Sequence, residues 1–152
     1  MPADFSINQK ENVVMQKRVI VYAHLPSGMK NGMQQLHELG EFLGTCAVNE
    51  EFDLVGVLTE ITDKRLYERR GFIQCLELIA RDEIDGVYVL NAFNISPDKQ
   101  EVIEFVQSIV EAGAFVKSVK RDLPCEEITQ RYENSALANT DEPSEFVLFY
   151  RF

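Results

Sequence analysis

One candidate nucleophile stands out in this sequence. Ser27 lies in the Pro-Ser-Gly turn of the segment HLPSGMKNG, directly after an apolar run. A serine hydroxyl becomes a nucleophile when a neighbouring base takes its proton, and no His–Asp pair stands at a spacing that indicates such a base. Serine is also a common turn former. Ser27 is therefore predicted either to attack an electrophile or only to form the turn.

The chain also has a single basic cluster. The segment TEITDKRLYERRGF concentrates four cations, namely Lys64, Arg65, Arg69 and Arg70. Arginine and lysine at this density can bind a phosphate or a carboxylate by charge-assisted hydrogen bonds. The alternative is a solvated surface loop, because the acidic residues Glu60, Asp63 and Glu68 neutralise the cluster locally. An anion site and a surface loop both remain possible interpretations.

Metal and nucleotide chemistry have little support in the sequence. The three cysteines are scattered and odd in number, and the only histidines are His24 and His37. Zinc sites need closely spaced Cys and His pairs, which are missing, so we expect no metal and no cofactor. The two glycines of HLPSGMKNG do not form either of the common phosphate-binding motifs. Cys75 falls in an apolar helical pattern and is predicted to be part of the core.

Composition and charge narrow the function classes further. The 152 residues carry a net charge of −10, and the pI is near 4.7. An acidic chain repels phosphate backbones, so we expect DNA to bind only weakly if at all. No apolar run reaches the roughly 20 residues that span a bilayer, and the start is not a signal peptide. We therefore expect a cytoplasmic protein without membrane contact.

Alternating element types predict an α/β fold. Apolar, β-branched runs predict strands at 18–23, 52–58, 86–90 and 114–119. Helical periodicity fills the intervals at 29–48 and 71–81, and Ser96 with Pro97 predicts the start of a third helix that ends near Ala112. Segment 60–68 is polar and predicts a loop. The order β-α-β-α-β-α-β predicts a three-layer α/β/α domain with a mostly parallel sheet of four to five strands.

The domain is expected to occupy residues 15–123. Residues 1–14 are polar without periodicity and predict a flexible leader. Residues 124–152 form a C-terminal extension, with a short helix near 126–131 and a final strand, EFVLFYRF, at 145–152. An exposed strand of this composition invites aggregation, so it must pair with a sheet edge or with a partner chain.

The order of these segments resembles the catalytic domain of serine recombinases, the resolvase/invertase family. RVIVYAHLPS is similar to the family's opening strand followed by Tyr-Ala-Arg-Val-Ser. TEITDKRLYERRGFIQCLELI is similar to the stretch that contains an Asp, a Ser-Gly loop and an Arg-x-Gly helix start. IDGVYVLNAFNISPD resembles a buried strand followed by Leu-Asp-Arg-Leu-x-Arg-Asp. The resemblance covers about 18–122 and implies a resolvase-like fold, a role in site-specific DNA recombination and an origin in a mobile element.

Carried over residue by residue, the resemblance retains part of the family's site. Tyr22 matches the tyrosine after the first strand, and Gln35 matches a glutamine of the first helix. Arg69 matches the arginine that precedes a helix, while Glu60 replaces an aspartate. Ser27 lies one place beyond the position of the family's nucleophile. These five residues are the candidate catalytic residues that the resemblance implies.

Other positions depart from the family pattern. Pro26 occupies the nucleophile position and His24 that of the neighbouring arginine. The Asp and the two arginines of the Leu-Asp-Arg-Leu-x-Arg motif fall on Phe93, Asn94 and Pro97. Loss of one donor that stabilises transition-state charge commonly costs about 2.7–4 kcal/mol, and neither Asn nor His replaces a guanidinium fork.

We therefore expect a resolvase-fold domain that lacks DNA cleavage and acts as a regulatory or protein-binding module, with a protein partner or a second copy as its ligand. One alternative is an active or accessory serine recombinase domain that uses Ser27, Arg69 and cations from a partner chain. A further alternative is a flavodoxin-like domain that binds a small anion or nucleotide in its first loop.

Overall fold

A computed structural model describes residues 15–123 and 145–152 of the chain. The predicted leader and the predicted short helix near 126–131 lie outside these residues. The elements are β1 (Arg18–Leu25), α1 (Gly32–Asn49), β2 (Asp53–Ile61), a 3₁₀ turn (Leu66–Glu68), α2 (Arg70–Ala80), β3 (Gly86–Val89), α3 (Lys99–Glu111), β4 (Phe115–Ser118) and β5 (Phe146–Arg151). No helix of the described part is long and apolar enough to cross a membrane.

The five strands form one sheet in the order β4-β3-β1-β2-β5. The first four are parallel, and β5 pairs antiparallel with β2. Strands β1 and β3 are apolar along nearly their whole length, as is usual where helices cover both faces of a parallel sheet. The predicted α/β class, the element order and the mostly parallel sheet are confirmed.

Two apolar clusters lie on opposite faces of β1. Val19 and Val21 pack with Leu43 and Ala47 of α1. On the other face, Ile20 and Tyr22 belong to the cluster of α2 and α3 that contains Phe72, Cys75, Phe105 and Ile109. Alternation of side chains along a strand produces this division. Cys75 is fully buried, as predicted, and burial raises the pKa of its thiol.

Two predicted boundaries are wrong in ways that affect the site. Strand β2 continues to Ile61, so Glu60 is a strand residue and not part of a polar loop. Helix α3 begins at Lys99 and is capped by Asp98, whose carboxylate accepts from the N–H of Gln100. Ser96 is not the predicted cap, because its oxygen accepts from the N–H of Asp98, before the helix begins, while its hydroxyl donates to a glutamate inside the domain.

The predicted C-terminal strand is present as β5, and it has a partner within the chain. Its register on β2 pairs Phe146 with Ile61 and Arg151 with Gly56. The backbone of β5 passes so close to Gly56 that an added Cβ would meet the carbonyl oxygen of Tyr150. Glycine is therefore the residue that lets the two strands approach at this point.

Candidate functional site

Most of the predicted site residues gather where parallel strands end. Tyr22 and His24 lie near the end of β1, Glu60 lies near the end of β2, and Asn94 follows β3. In open α/β sheets this edge is where ligands bind, because loops diverge there and backbone N–H groups of helices point toward it. The contacts of each side chain determine what this edge can do.

Arg69 is buried and its guanidinium is used within the domain. Only 2% of the residue is exposed. Nε donates to the carbonyl of Lys64 at 3.1 Å and Nη1 to the carbonyl of Ile95 at 2.7 Å. Nη2 lies 3.4 Å from the hydroxyl of Ser96 and 2.7 Å from Oε1 of Glu101. These contacts occupy Nε and both terminal nitrogens, so little donor capacity is left for a ligand.

Glu101 is the centre of this buried network. One of its oxygens receives Arg69 and the hydroxyl of Ser96, and the other accepts from the N–H of Leu66 at 2.9 Å. The carboxylate thus ties the start of α3 to the 3₁₀ turn and to the residue that precedes α2. A charged pair inside a protein requires this degree of hydrogen bonding to offset its loss of water.

Glu60 joins β1, β2 and α2 through a second buried network. Its Oε2 accepts from the hydroxyl of Tyr22 at 2.6 Å, and its Oε1 accepts from the N–H of Gly71 at 2.9 Å. The carboxylate lies at the positive end of α2, where an N–H would otherwise lack a partner. Burial, followed by the negative charge of Glu60, raises the pKa of Tyr22 well above its usual range.

His24 is buried in a neutral form. Its Nε2 lies 2.8 Å from the carbonyl of Thr62, which can only accept, so Nε2 carries the proton. Its Nδ1 is buried and has no hydrogen-bond partner. Burial lowers the pKa of His24 to about 3, and the nearby charge of Arg69 acts in the same direction. At neutral pH the ring therefore carries no charge that could hold a phosphate.

Ser27 is fixed by a carboxylate. The side chain of Asp63 accepts from the backbone N–H of Ser27 at 2.9 Å and also, by a short contact, from its hydroxyl. Pro26 precedes it and is partly buried. Ser27 bonds to Asp63, and Arg69 donates to the carbonyl of Lys64, the next residue in the chain, so both candidates contact the same short segment through different groups.

A shallow cleft brings three further predicted residues together. Gln35, Phe93 and Asn94 line a cleft of about 410 Å³ with Leu25 and apolar side chains of α1. Gln35 is exposed and its amide donates to the carbonyl of Lys30, while Phe93 and Asn94 are almost fully buried. Pro97 is partly buried and does not line this cleft.

The four cations of the basic cluster differ in their exposure and in their partners. The ammonium of Lys64 pairs with Glu145 at 3.3 Å, immediately before β5. Arg65 and Arg70 are exposed to solvent. Arg69 is the member that the fold buries. Among the described residues, no group of three His, Cys, Asp or Glu side chains is arranged to hold a metal ion.

Sequence reasoning did not identify Glu101 or assign a role to Asp63, the two carboxylates that hold the predicted residues. Glu101 precedes Val102 and lies one helical turn before Phe105, both buried. An acidic residue on the apolar face of a helix indicates a buried partner, and this signal was available. In the sequence, Asp63 is one of the acidic residues that neutralise the basic cluster, and no local pattern links it to Ser27.

Comparison with known proteins gives a consistent answer on the fold. No family model matches the chain, and no curated protein matches its sequence. Among solved structures, the C-terminal catalytic domain of ISC1926 TnpA, an IS607-like serine recombinase, is similar with a TM-score of 0.58 and 17% identity, over 67% of this chain and 70% of that one.

Two further structures agree. The N-terminal catalytic domain of TP901-1 integrase has a TM-score of 0.58 at 16% identity, over 68% of this chain and 79% of that chain. A resolvase family site-specific recombinase from Streptococcus pneumoniae has a TM-score of 0.58 at 13% identity, over 80% and 84%. The resemblance inferred from the sequence is thus confirmed at the level of structure: this chain has the fold of a serine recombinase catalytic domain.

Proposed function

We propose that this domain keeps the serine recombinase fold without DNA cleavage and acts as a protein-binding, regulatory module. The observation that carries the proposal is the burial of Arg69, whose guanidinium is bonded to Glu101 and to backbone carbonyls. Phosphoryl transfer to a serine develops negative charge that must be met by cations already in place. A guanidinium whose N–H groups are already bonded within the fold cannot stabilise this negative charge.

The positions around Arg69 support the same conclusion. His24 is neutral, and Asn94 and Pro97 stand where the resemblance expects arginines. The hydroxyl of Ser27 faces the carboxylate of Asp63, which would repel an approaching phosphate. A net charge of −10 adds long-range repulsion, so DNA is expected to bind weakly if at all.

An active domain is the second candidate, and one observation favours it. The contact between Ser27 and Asp63 is the arrangement by which a carboxylate can take the proton of a hydroxyl. Cations would then have to come from a partner chain, and this chain could add the exposed Arg65 and Arg70.

A small-anion site in the first loop has less support. In a phosphate-binding loop the backbone N–H groups are free to receive the ligand. Here the N–H of Ser27 already donates to Asp63, so a carboxylate of the same chain fills the place that an anion would take. A ligand that binds the native state raises the melting temperature. Because we expect no phosphate to bind, inorganic phosphate should leave the melting temperature unchanged in a thermal-shift measurement.

A cleavage assay tests the proposal directly. The full chain is incubated with a supercoiled plasmid library of DNA from the source genome, and nicks and covalent protein–DNA adducts are measured on denaturing gels. The proposal expects neither product. Ser27→Ala is compared with Ser108→Ala, a matched loss of a hydroxyl from α3. An adduct that forms with the wild type and with Ser108→Ala, but not with Ser27→Ala, would overturn the proposal in favour of an active recombinase domain.

A further inference from the structure

Strand β5 leaves one edge of the sheet without a partner among the described residues. The strand order places it outermost, beyond β2. In an antiparallel pair, alternate residues direct their N–H and C=O groups toward the neighbouring strand. The N–H of Phe152 donates to the carbonyl of Val55, which assigns the even-numbered residues of β5 to β2. Residues 145, 147, 149 and 151 therefore direct their backbone groups outward.

The same strand exposes apolar side chains. Val147, Leu148 and Tyr150 are each more than a third exposed, and Phe152 is 71% exposed. Tyr150 and Phe152 also border a groove of about 670 Å³ along α1, lined by Gly40 and Gly44. Natural proteins protect an outer strand with lysine, proline or a covering loop. Within β5 the only charged residue is Arg151.

Charge complementarity identifies a second copy of this chain as the partner. Two copies of β5 can pair antiparallel about a two-fold axis with their outward residues opposite one another. In the register centred on Leu148, all four outward residues of each copy form backbone pairs with the second copy. Val147 then lies opposite Phe149 of the second copy, and Glu145 lies opposite its Arg151. Each end of the strand pair then carries one carboxylate opposite one guanidinium, an arrangement that stabilises cross-strand pairs. Within one chain Arg151 pairs with Glu83 and Glu145 pairs with Lys64, so in the dimer these partly exposed side chains are shared between the two sets of partners.

The side chains between these ends are also complementary. In the register centred on Leu148, this leucine lies opposite Leu148 of the second copy, and Phe146 lies opposite Tyr150 of the second copy. These are non-hydrogen-bonded positions, where side chains approach most closely, and aromatic pairs there are favourable. The exposed apolar groups of β5 would be covered by equivalent groups of the second copy.

We propose that the chain forms a symmetric dimer through antiparallel pairing of β5 with β5, which joins the two sheets into one sheet of ten strands. The inference rests on the protein-binding part of the proposed function, and it names the partner. It does not depend on the loss of DNA cleavage, because β5 pairs with the outer side of β2, whereas Ser27 bonds to Asp63 and Arg69 bonds to Glu101.

Analytical ultracentrifugation of the full chain tests the dimer. The wild type is expected to sediment at twice the mass of the 17.4-kDa chain at tens of micromolar. Leu148→Lys sets two ammonium groups opposite each other at the axis, and Val147→Pro removes an outward N–H while leaving the pairing with β2 intact. Both variants are expected to be monomers with unchanged circular dichroism. Val110→Lys, at an exposed apolar site on α3, is the control and stays dimeric.

Charge reversal and cross-linking test the register. Arg151→Glu and Glu145→Arg each place like charges opposite one another and are expected to raise the dimer dissociation constant at least about tenfold. The double variant restores the pairing between copies but not the ion pairs with Glu83 and Lys64 within each chain, so recovery of the dimer reports the contact between copies. In a chain with Cys46 and Cys125 replaced by Ser, Leu148→Cys is expected to form an intermolecular disulfide on mild oxidation, because facing Cα atoms lie about 4.5 Å apart. Val110→Cys is the control and does not form one.

The outcomes separate the two proposals. A monomeric wild type, or a dimer that Leu148→Lys leaves intact, overturns the β5 interface, and the edge is then left to a strand of another protein. Neither result changes the expectation for DNA cleavage. A β5 dimer that also forms a covalent adduct through Ser27 would confirm the interface and overturn the proposed loss of cleavage.

Discussion

Replacement of Arg69 by methionine decides whether this residue is structural. The variant keeps an unbranched apolar stem and removes the guanidinium. If Arg69 stood in an open site, ready for a phosphate, its loss would have little effect on folding. Because it is buried against Glu101 and two backbone carbonyls, we expect a large loss of stability.

The magnitude follows from the contacts. Removing one partner of a buried ion pair costs about 3–5 kcal/mol, and a buried carbonyl left without a donor costs about 1–3 kcal/mol. Allowing for relaxation around the shorter network, we expect a loss of about 4–6 kcal/mol, much of the 5–15 kcal/mol that a domain typically has. With a urea dependence of about 1–3 kcal/mol per molar, the unfolding midpoint falls by about 1.3–6 M.

Urea unfolding followed by circular dichroism provides the measurement. Arg70→Ala is the matched control, since the neighbouring arginine is exposed, and its effect is expected within about 0.5 kcal/mol. Arg69→Met together with Glu101→Gln removes the unpaired charge while keeping an acceptor for the N–H of Leu66. It is expected to be about 2 kcal/mol more stable than Arg69→Met alone. A loss below about 1 kcal/mol in Arg69→Met would refute the structural role of the guanidinium.

Three further predictions concern residues near the same edge. The pKa of His24 is about 3 in the folded chain and about 6.5 when unfolded, so between these values the unfolded state binds more protons and stability falls as pH falls. From pH 7.5 to pH 5 the wild type is expected to lose about 2 kcal/mol more than His24→Gln in urea unfolding, and parallel pH profiles would contradict this. Gly71→Ala places a Cβ 2.5 Å from the carboxylate of Glu60 and is expected to destabilise by about 1–3 kcal/mol. Gly44→Ala, where the nearest atom is 3.3 Å away on a flexible side chain, should cost less, and equal thermal shifts would reject the argument. Asp98→Ala removes the cap of α3 and is expected to cost about 1 kcal/mol, whereas an unchanged melting temperature would exclude the cap.

The parallel core of the fold could be predicted from the sequence because its signals are local. Strands β1 and β3 are short apolar runs, and the helices between strands repeat apolar residues at helical spacing, so neither needs knowledge of distant partners. The end of β2 could not be predicted in the same way. Glu60 is charged and indicated a loop, but its carboxylate is satisfied by Tyr22 and Gly71, which lie 38 and 11 residues away in sequence.

The pairing of β5 shows the same limit. Its composition predicts a strand that needs a neighbour, but two edges of the sheet were available, and nothing local distinguishes β2 from β4. The close approach at Gly56 is a property of the assembled sheet. The start of α3 was misplaced for a related reason. Ser96 and Asp98 are both good caps, and Glu101 draws the hydroxyl of Ser96 into the buried network.

Arg69 shows that the type of a residue does not by itself determine its function. Its place before a helix supports the resemblance to recombinases, and matching by residue type alone would assign it to catalysis. Catalysis by a cation requires that the charge be available at the moment negative charge develops, which depends on its partners and not on its type. In this chain Glu101 and the carbonyl of Ile95 hold that charge within the fold. A stability measurement on Arg69 and Glu101 therefore tests the premise of the proposed loss of cleavage, namely that the fold requires this guanidinium.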